Sequence, residues 1–359
     1  MTATRSLLTV SGTIAGDVHE EIAAGRRPRA DYLQFAAAAN ADLLDYADAH
    51  RLGGRVGRLV QRVGGNNALL AYVCWRRRGR YDAIVTDGEQ VGLPYAVLCW
   101  FTGRRSRPVH LMIVHILSVP KKVRLFNLAR LRSRVDVMFV YATSQRRFAI
   151  DRLGMAPDDV VLTTFMVDTD FFCPARVQAT PRRMICSAGL EFRDYATLVD
   201  AVRDLDVEVV VAAASPWSKR TSEVSDGGLP ENVTVCKLSL FELRQLYADA
   251  RFVVMPLHPV EFQAGITTIL EAMAMGKGIV CSRTQGQTDA IEDGVSGVYV
   301  PPADAAALRV AIERLLDDEA LAARLGEGAR EWVVREADIS VYIDRIVAEV
   351  DRRVTARTA

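Results

Sequence analysis

The chain is poor in the residues that build covalent or metal scaffolds. Its 359 residues include six cysteines and five histidines. Cys74, Cys99, Cys173, Cys186, Cys236 and Cys281 share no paired spacing, and most stand inside apolar runs where cysteine acts as a small hydrophobe. Neither a disulfide framework nor a zinc-ligand pattern follows. No apolar run approaches the roughly 20 residues of a membrane span. The apolar stretch at residues 7–10 is too short for a signal peptide. The expectation is a reduced, soluble, cytoplasmic protein. No Gly-x-Gly-x-x-Gly follows the first expected strand, which disfavours a nicotinamide dehydrogenase. No carboxylate pair suits glycoside hydrolysis.

Half of the residues are hydrophobic and a quarter are charged, enough for sizeable cores. The length suits two domains. Net charge is +1 but unevenly spread: residues 1–175 carry 24 Lys+Arg against 16 Asp+Glu, and the remainder is net −7. A basic first half fits an anionic acceptor, a membrane face or a partner, and equally a solvated arginine-rich surface.

In the second half, strands are expected at 184–187, 207–213, 233–236, 252–255, 278–281 and 297–300. Helices are expected between them at 195–205, 240–249, 268–275 and 304–316. Continuous Val/Ile/Ala strands separated by amphipathic helices predict a doubly wound parallel sheet. The first half gives strands at 6–11, 83–86, 111–114, 137–142 and 160–163, again α/β. A proline-containing, aperiodic stretch at 166–181 reads as a linker. The expected division is 1–165, linker 166–181 and 182–338, with a helix from about 339 to 359 returning to the first domain.

The most informative stretch is 261–280, a loop, a helix and a strand. Gly265 lets backbone approach a ligand closely. Thr267 and Thr268 place hydroxyls beside free N–H groups at a helix start, where the dipole favours a phosphate. Glu271, one turn further in, can accept two hydrogen bonds from neighbouring hydroxyls such as those of a ribose. The alternative is a plain helix–strand unit whose glutamate caps something local.

This stretch resembles the signature of the family 4 retaining glycosyltransferases, two glutamates eight positions apart with a glycine two after the first. Glu271 matches the second glutamate and Gly265 the glycine, while the first falls at Gln263. Glu261, two residues earlier, is the other candidate for that role. The 166–175 segment resembles the family's interdomain connection. Similarity extends to Gly189-Leu-Glu-Phe-Arg193, Leu246-Tyr-Ala-Asp-Ala250 and Pro301-Pro-Ala-Asp304.

The resemblance implies a GT-B fold, two Rossmann-like domains facing across a cleft. It implies a metal-independent, retaining hexosyltransferase without cofactor, whose co-substrate is a nucleotide-diphosphate sugar, a UDP-sugar foremost. The acceptor is a hydroxyl on a small molecule, a glycan or a lipid-linked sugar, and no nucleic acid is involved. His115, Gln263 and Arg193 are the implied catalytic-site residues. Gly12, Arg193, Lys219, Gln263, Gly265, Ile266, Thr267 and Glu271 are the implied donor contacts. Arg193 stands where the family has a phosphate-binding lysine, and Leu190 where it has an arginine. Lys219 is a replacement cation. For Arg193 the competing reading is a surface ion pair with Asp194 or Glu191. Asp87-Gly-Glu89 could meet an acceptor hydroxyl. The basic helical stretch 121–134 is expected to pack on the cleft rim in preference to touching a membrane. An epimerase of the same fold and a non-catalytic nucleotide-sugar-binding subunit are the alternatives.

Overall fold

A computed structural model describes residues 4–102, 107–116, 118–213 and 229–358. The chain divides into two compact units. The first comprises Met1–Glu20, Arg29–Thr164 and Tyr342–Ala359, and the second Glu21–Pro28 and Phe165–Val341.

Unit 1 is built on six parallel strands: β1 (Ser6–Thr9), β2 (Asp42–Leu44), β3 (Ala83–Asp87), β4 (Val109–Ile113), β5 (Val137–Val140) and β6 (Val160–Leu162). They lie in the order β2-β1-β3-β4-β5-β6. Strand β2 was not expected from its sequence. It is three residues long, with one exposed aspartate, and it pairs Leu43 with Leu8 in register. Between the strands run α1 (Val18–Ala23), α2 (Asp31–Ala38), α3 (Tyr46–Arg77), α4 (Glu89–Leu98), α5 (Pro120–Leu128) and α6 (Thr143–Asp151). Asp45 starts α3 by accepting the Asp48 N–H at 2.8 Å, the usual work of an N-cap aspartate. Helix α3 is broken twice, at Gly54 and Gly65, both at positive φ.

Unit 2 carries β7 (Met184–Ala188), β8 (Glu208–Ala212), β9 (Val233–Cys236), β10 (Val253–Met255), β11 (Ile279–Ser282) and β12 (Gly297–Val300), all parallel. Its helices are α7 (Tyr195–Val202), α8 (Leu240–Asp249), α9 (Ile266–Ala274), α10 (Ala305–Asp317) and α11 (Glu319–Glu336). Helix α12 (Ile339–Thr358) then contributes to unit 1 from Tyr342 onward. Ser239 and Glu242 form a reciprocal capping box at the start of α8, and Asp194, Asp304 and Asp318 cap α7, α10 and α11.

Alternate residues of the central strands of unit 2 feed two separate cores. Met184, Cys186, Val253, Met255, Ile279 and Cys281 belong to one. Ile185, Val209, Val211, Val254 and Val280 belong to the other. A strand apolar on both faces must be covered on both, which is why the sheet is parallel and doubly wound. Each fully buried Val, Leu or Ile side chain contributes about 1.5–3 kcal/mol.

The strand order β12-β11-β10-β7-β8-β9 begins in the middle, grows one way to β9, then crosses back to β10. The loops after β7 and β10 therefore leave the sheet in opposite directions. This is the topological switch point, where open α/β sheets bind ligands. In unit 1 the switch point lies between β1 and β3.

Candidate functional site

The β7–α7 and β10–α9 loops of unit 2 are joined at the switch point. The Asp194 N–H donates to Pro256 O at 3.0 Å, and the His258 N–H to Phe192 O at 3.1 Å. The rings of Phe192 and Phe262 meet edge to face, 5.0 Å between centroids.

Arg193 lies inside this junction. It makes no surface ion pair with Asp194 or Glu191: its guanidinium is buried and donates to the carbonyls of Ala188 (3.0 Å) and Glu191 (2.8 Å) and, at 3.5 Å, to Thr268 Oγ1. Burial, with no carboxylate hydrogen-bonded to it among the described residues, holds its pKa below the ordinary arginine value. Two glycines make room for it. Gly189 (φ +94) and Gly265 (φ +75) both adopt backbone that disfavours a side chain. A Cβ on Gly189 would sit 2.5 Å from Nη2, and one on Gly265 3.0 Å from Nη1.

Helix α9 starts at Ile266, two residues before the expected 268. Its N-cap is Gly265, and no side chain caps it. The first backbone N–H groups therefore remain available for an anion. Ile266 packs its side chain into the apolar core and can offer a ligand only its backbone. Thr267 is exposed and Thr268 buried. Gln263 is half-buried, and its Oε1 is enclosed without a hydrogen-bond partner.

Glu271 is 6% exposed and accepts a hydrogen bond from the Tyr247 hydroxyl at 3.2 Å. Burial pushes its carboxyl up to about 8, against the opposing effect of that bond. Burial thus works against the carboxylate form expected from the sequence.

Sequence reasoning passed over the loop after β11. Gln287 Nε2 donates to the Ala264 carbonyl, and Tyr299 donates to Gln287 O at 2.6 Å. Gly286 passes so close that a Cβ there would lie 2.0 Å from Phe262 O. A glycine between two polar residues after a buried strand was the available signal. Lys219, and with it the expected second cation, lies outside the described residues.

In unit 1 the switch-point loops are likewise tied. Ser11 Oγ donates to Asp87 O at 2.5 Å, and the Tyr46 N–H to Gly12 O at 2.9 Å. His115 follows β4, with Nε2 3.0 Å from Asp87 Oδ1. Its N–H donates to Glu89 Oε2 at 2.9 Å, and its carbonyl accepts from Gln145 Nε2 at 2.7 Å. Glu89 is buried and also binds Lys122 at 2.5 Å. Burial disfavours the imidazolium, but the bond and charge of Asp87, with Glu89 and Asp31, outweigh it and raise the His115 pKa. Asp31, a residue not foreseen here, has its carboxyl pushed up to about 6 by burial and by Asp87. Structure thus groups Arg193, Gly265, Thr268 and Glu271 in unit 2, and separately His115 with the Gly12 loop in unit 1.

Two parallel six-stranded sheets with these strand orders define the GT-B fold of glycosyltransferases. A structure of HepE from Anabaena, solved in complex with UDP, superposes with a TM-score of 0.72 over 97% of this chain and all of that one, at 16% identity. A glycosyltransferase from Rickettsia africae gives 0.67 over 98% and 99%, at 15% identity. Residues 187–318, a little over a third of the chain, match the family described as glycosyl transferases group 1. Among curated proteins, the alpha-D-kanosaminyltransferase of Streptomyces kanamyceticus is 29% identical over 166 residues, 46% of this chain and 42% of its own. The MMP alpha-(1->4)-mannosyltransferase of Mycolicibacterium hassiacum is 26% identical over 281 residues, 72% of this chain and 67% of its own. The chain thus spans less than half of the first relative and about two thirds of the second.

Proposed function

We propose that this protein is a retaining glycosyltransferase that takes a sugar from a nucleotide-diphosphate sugar, a UDP-sugar foremost, and passes it to a hydroxyl acceptor. The observation that carries this reading is the switch point of unit 2. There a buried guanidinium with no counter-ion among the described residues, two glycines and an uncapped helix start converge, the combination that holds a diphosphate. Glu271, beside them on α9, is assigned to the ribose. Its similarity to a kanosaminyltransferase and a mannosyltransferase supports the same reading.

In this reaction the acceptor oxygen bonds to the anomeric carbon on the face from which the diphosphate leaves. The bond from that carbon to the phosphate oxygen breaks, and the leaving phosphate takes the acceptor proton. Backbone N–H groups of α9 and Arg193 stabilise the charge that builds on the departing phosphate. No step calls for a metal. Gln263 is assigned to the hydroxyls of the donor sugar. His115, on unit 1, is assigned to the reacting sugar or its acceptor.

The test is calorimetric titration with UDP, followed by NMR of the product formed from a UDP-sugar. Binding of UDP, weakened about tenfold or more in Arg193→Lys, is expected, since charge-assisted hydrogen bonds are worth roughly 1.5–3 kcal/mol. The product is expected to keep the donor's anomeric configuration, with activity surviving EDTA. Inversion, or loss in EDTA restored by a divalent metal, overturns the mechanism.

A further inference from the structure

The two breaks in α3 isolate a ten-residue helical segment, 55–64, bounded by Gly54 (φ +62) and Gly65 (φ +73). It has three sides. Gly57 faces the body of unit 1, where a Cβ would come within 3.0 Å of Leu69 Cδ1. Val56, Leu59 and Val63 recur at i, i+3 and i+7 and form one stripe. They are 55%, 62% and 86% exposed, so the fold buries none of them. Arg55, Arg58 and Arg62 repeat the same spacing one residue earlier, about 100° round the helix. All three are exposed, and among the described residues none has an ion-pair partner.

The surroundings reinforce that charge. No Asp or Glu occurs between Asp48 and Asp82, a stretch that holds eight arginines. A solvated helix face needs no aliphatic stripe, and the stripe is too narrow and too basic at its edge for a core. An aliphatic stripe beside a row of unpaired arginines is the chemistry of a helix lying in a bilayer surface. A polynucleotide would use the arginines but leave the valines and leucine idle. Among the described residues no helix is long and apolar enough to cross a membrane, so contact would be superficial.

We propose that segment 55–64 docks unit 1 on an anionic lipid bilayer, with Arg55, Arg58 and Arg62 on the headgroups and Val56, Leu59 and Val63 entering the interface. This surface is distinct from the basic stretch 121–134 and does not rest on the glycosyltransferase reading.

The experiment is flotation of the full chain with vesicles of phosphatidylcholine alone or with one third phosphatidylglycerol. Expected is partition at least tenfold stronger onto the anionic vesicles. Neutralising one arginine, as in Arg62→Ala, should weaken it about fivefold, the effect of one basic residue near such a surface. Leu59→Asp and Val63→Asp should weaken it as much or more while leaving UDP affinity and the melting temperature unchanged. Equal partition onto both vesicle types, or none, overturns the proposal. So does anionic binding that Leu59→Asp and Val63→Asp leave intact, with equal retention on heparin, because a soluble polyanion is then the partner. Failure to bind UDP would count against the proposed function and leave the lipid result untouched.

Discussion

The Tyr247 hydroxyl meets Glu271 at 3.2 Å, and the two residues, 24 apart in sequence, come from different helices. The bond favours the carboxylate, yet burial wins and the carboxyl is pushed up to about 8. Folding therefore takes up a proton at this site. The stability it brings is full below the unfolded value near 4.5 and is lost as pH rises through about 8. Wild-type protein should lose stability between pH 5 and 8, on the order of 4 kcal/mol from this group at about 1.36 kcal/mol per pKa unit. Glu271→Gln, which preserves an acceptor for Tyr247, should flatten the slope. Urea melts across that range decide it, and equal slopes in the two proteins would refute the assignment.

Gly265→Ala forces an alanine into left-handed backbone, worth roughly 1–2 kcal/mol of lost stability. Its methyl would also lie 3.0 Å from both Arg193 Nη1 and Met255 Sδ. The expected outcome is that loss in a denaturation curve, together with weaker UDP binding because the guanidinium is displaced. A variant of wild-type UDP affinity would show that Arg193 does not depend on the glycine.

Asp87→Asn leaves a hydrogen-bonding group at 3.0 Å from His115 Nε2 but removes its charge. The His115 pKa, held above 6.5 in the parent, should fall. The stability this histidine contributes is present below 6.5 and fades as pH climbs through its folded value, so the variant should lose it mainly at acid pH. NMR titration of the ring protons reads the shift directly. An unmoved pKa would assign the effect to Glu89 and Asp31.

Gln263→Glu should reorder donor sugars in competition kinetics while leaving nucleotide-diphosphate affinity within about threefold, under roughly 0.7 kcal/mol. The enclosed, partnerless Oε1 is the structural motive. An unchanged ranking would move the sugar-reading role to Glu261.

Strands of unit 2 such as Val253–Met255 were legible because they are unbroken apolar runs, buried throughout, the mark of a strand covered on both faces. Strand β2 was not, because Asp42-Leu-Leu44 is too short to show a period, and only Leu7–Thr9 beside it makes it a strand. Glycines at 54 and 65 hid the extent of α3. Gly265 and Glu271 could be read from spacing along one loop and helix. The inward course of Arg193 could not, since a long polar side chain next to two acidic residues looks like a surface group. Pairs such as Tyr247 with Glu271, or Gln287 with Ala264, join separate loops that only the completed sheet brings together.

The ordering of the chain sets a schedule for its synthesis. Unit 1 is interrupted after Thr164 and resumes at Tyr342, where Arg345 binds Thr163 O, Arg353 binds Asp159 and Arg357 binds Asp136. Residues 29–164 emerge from the ribosome long before these partners exist. Unit 2 can fold while its neighbour still waits for α12, against the ordinary N-terminal-first order of domains. A translational pause or nick between the units would leave Asp136 short of a cation and Tyr141 without Tyr342. The half-made product most exposed to aggregation and proteolysis is therefore the one translated first.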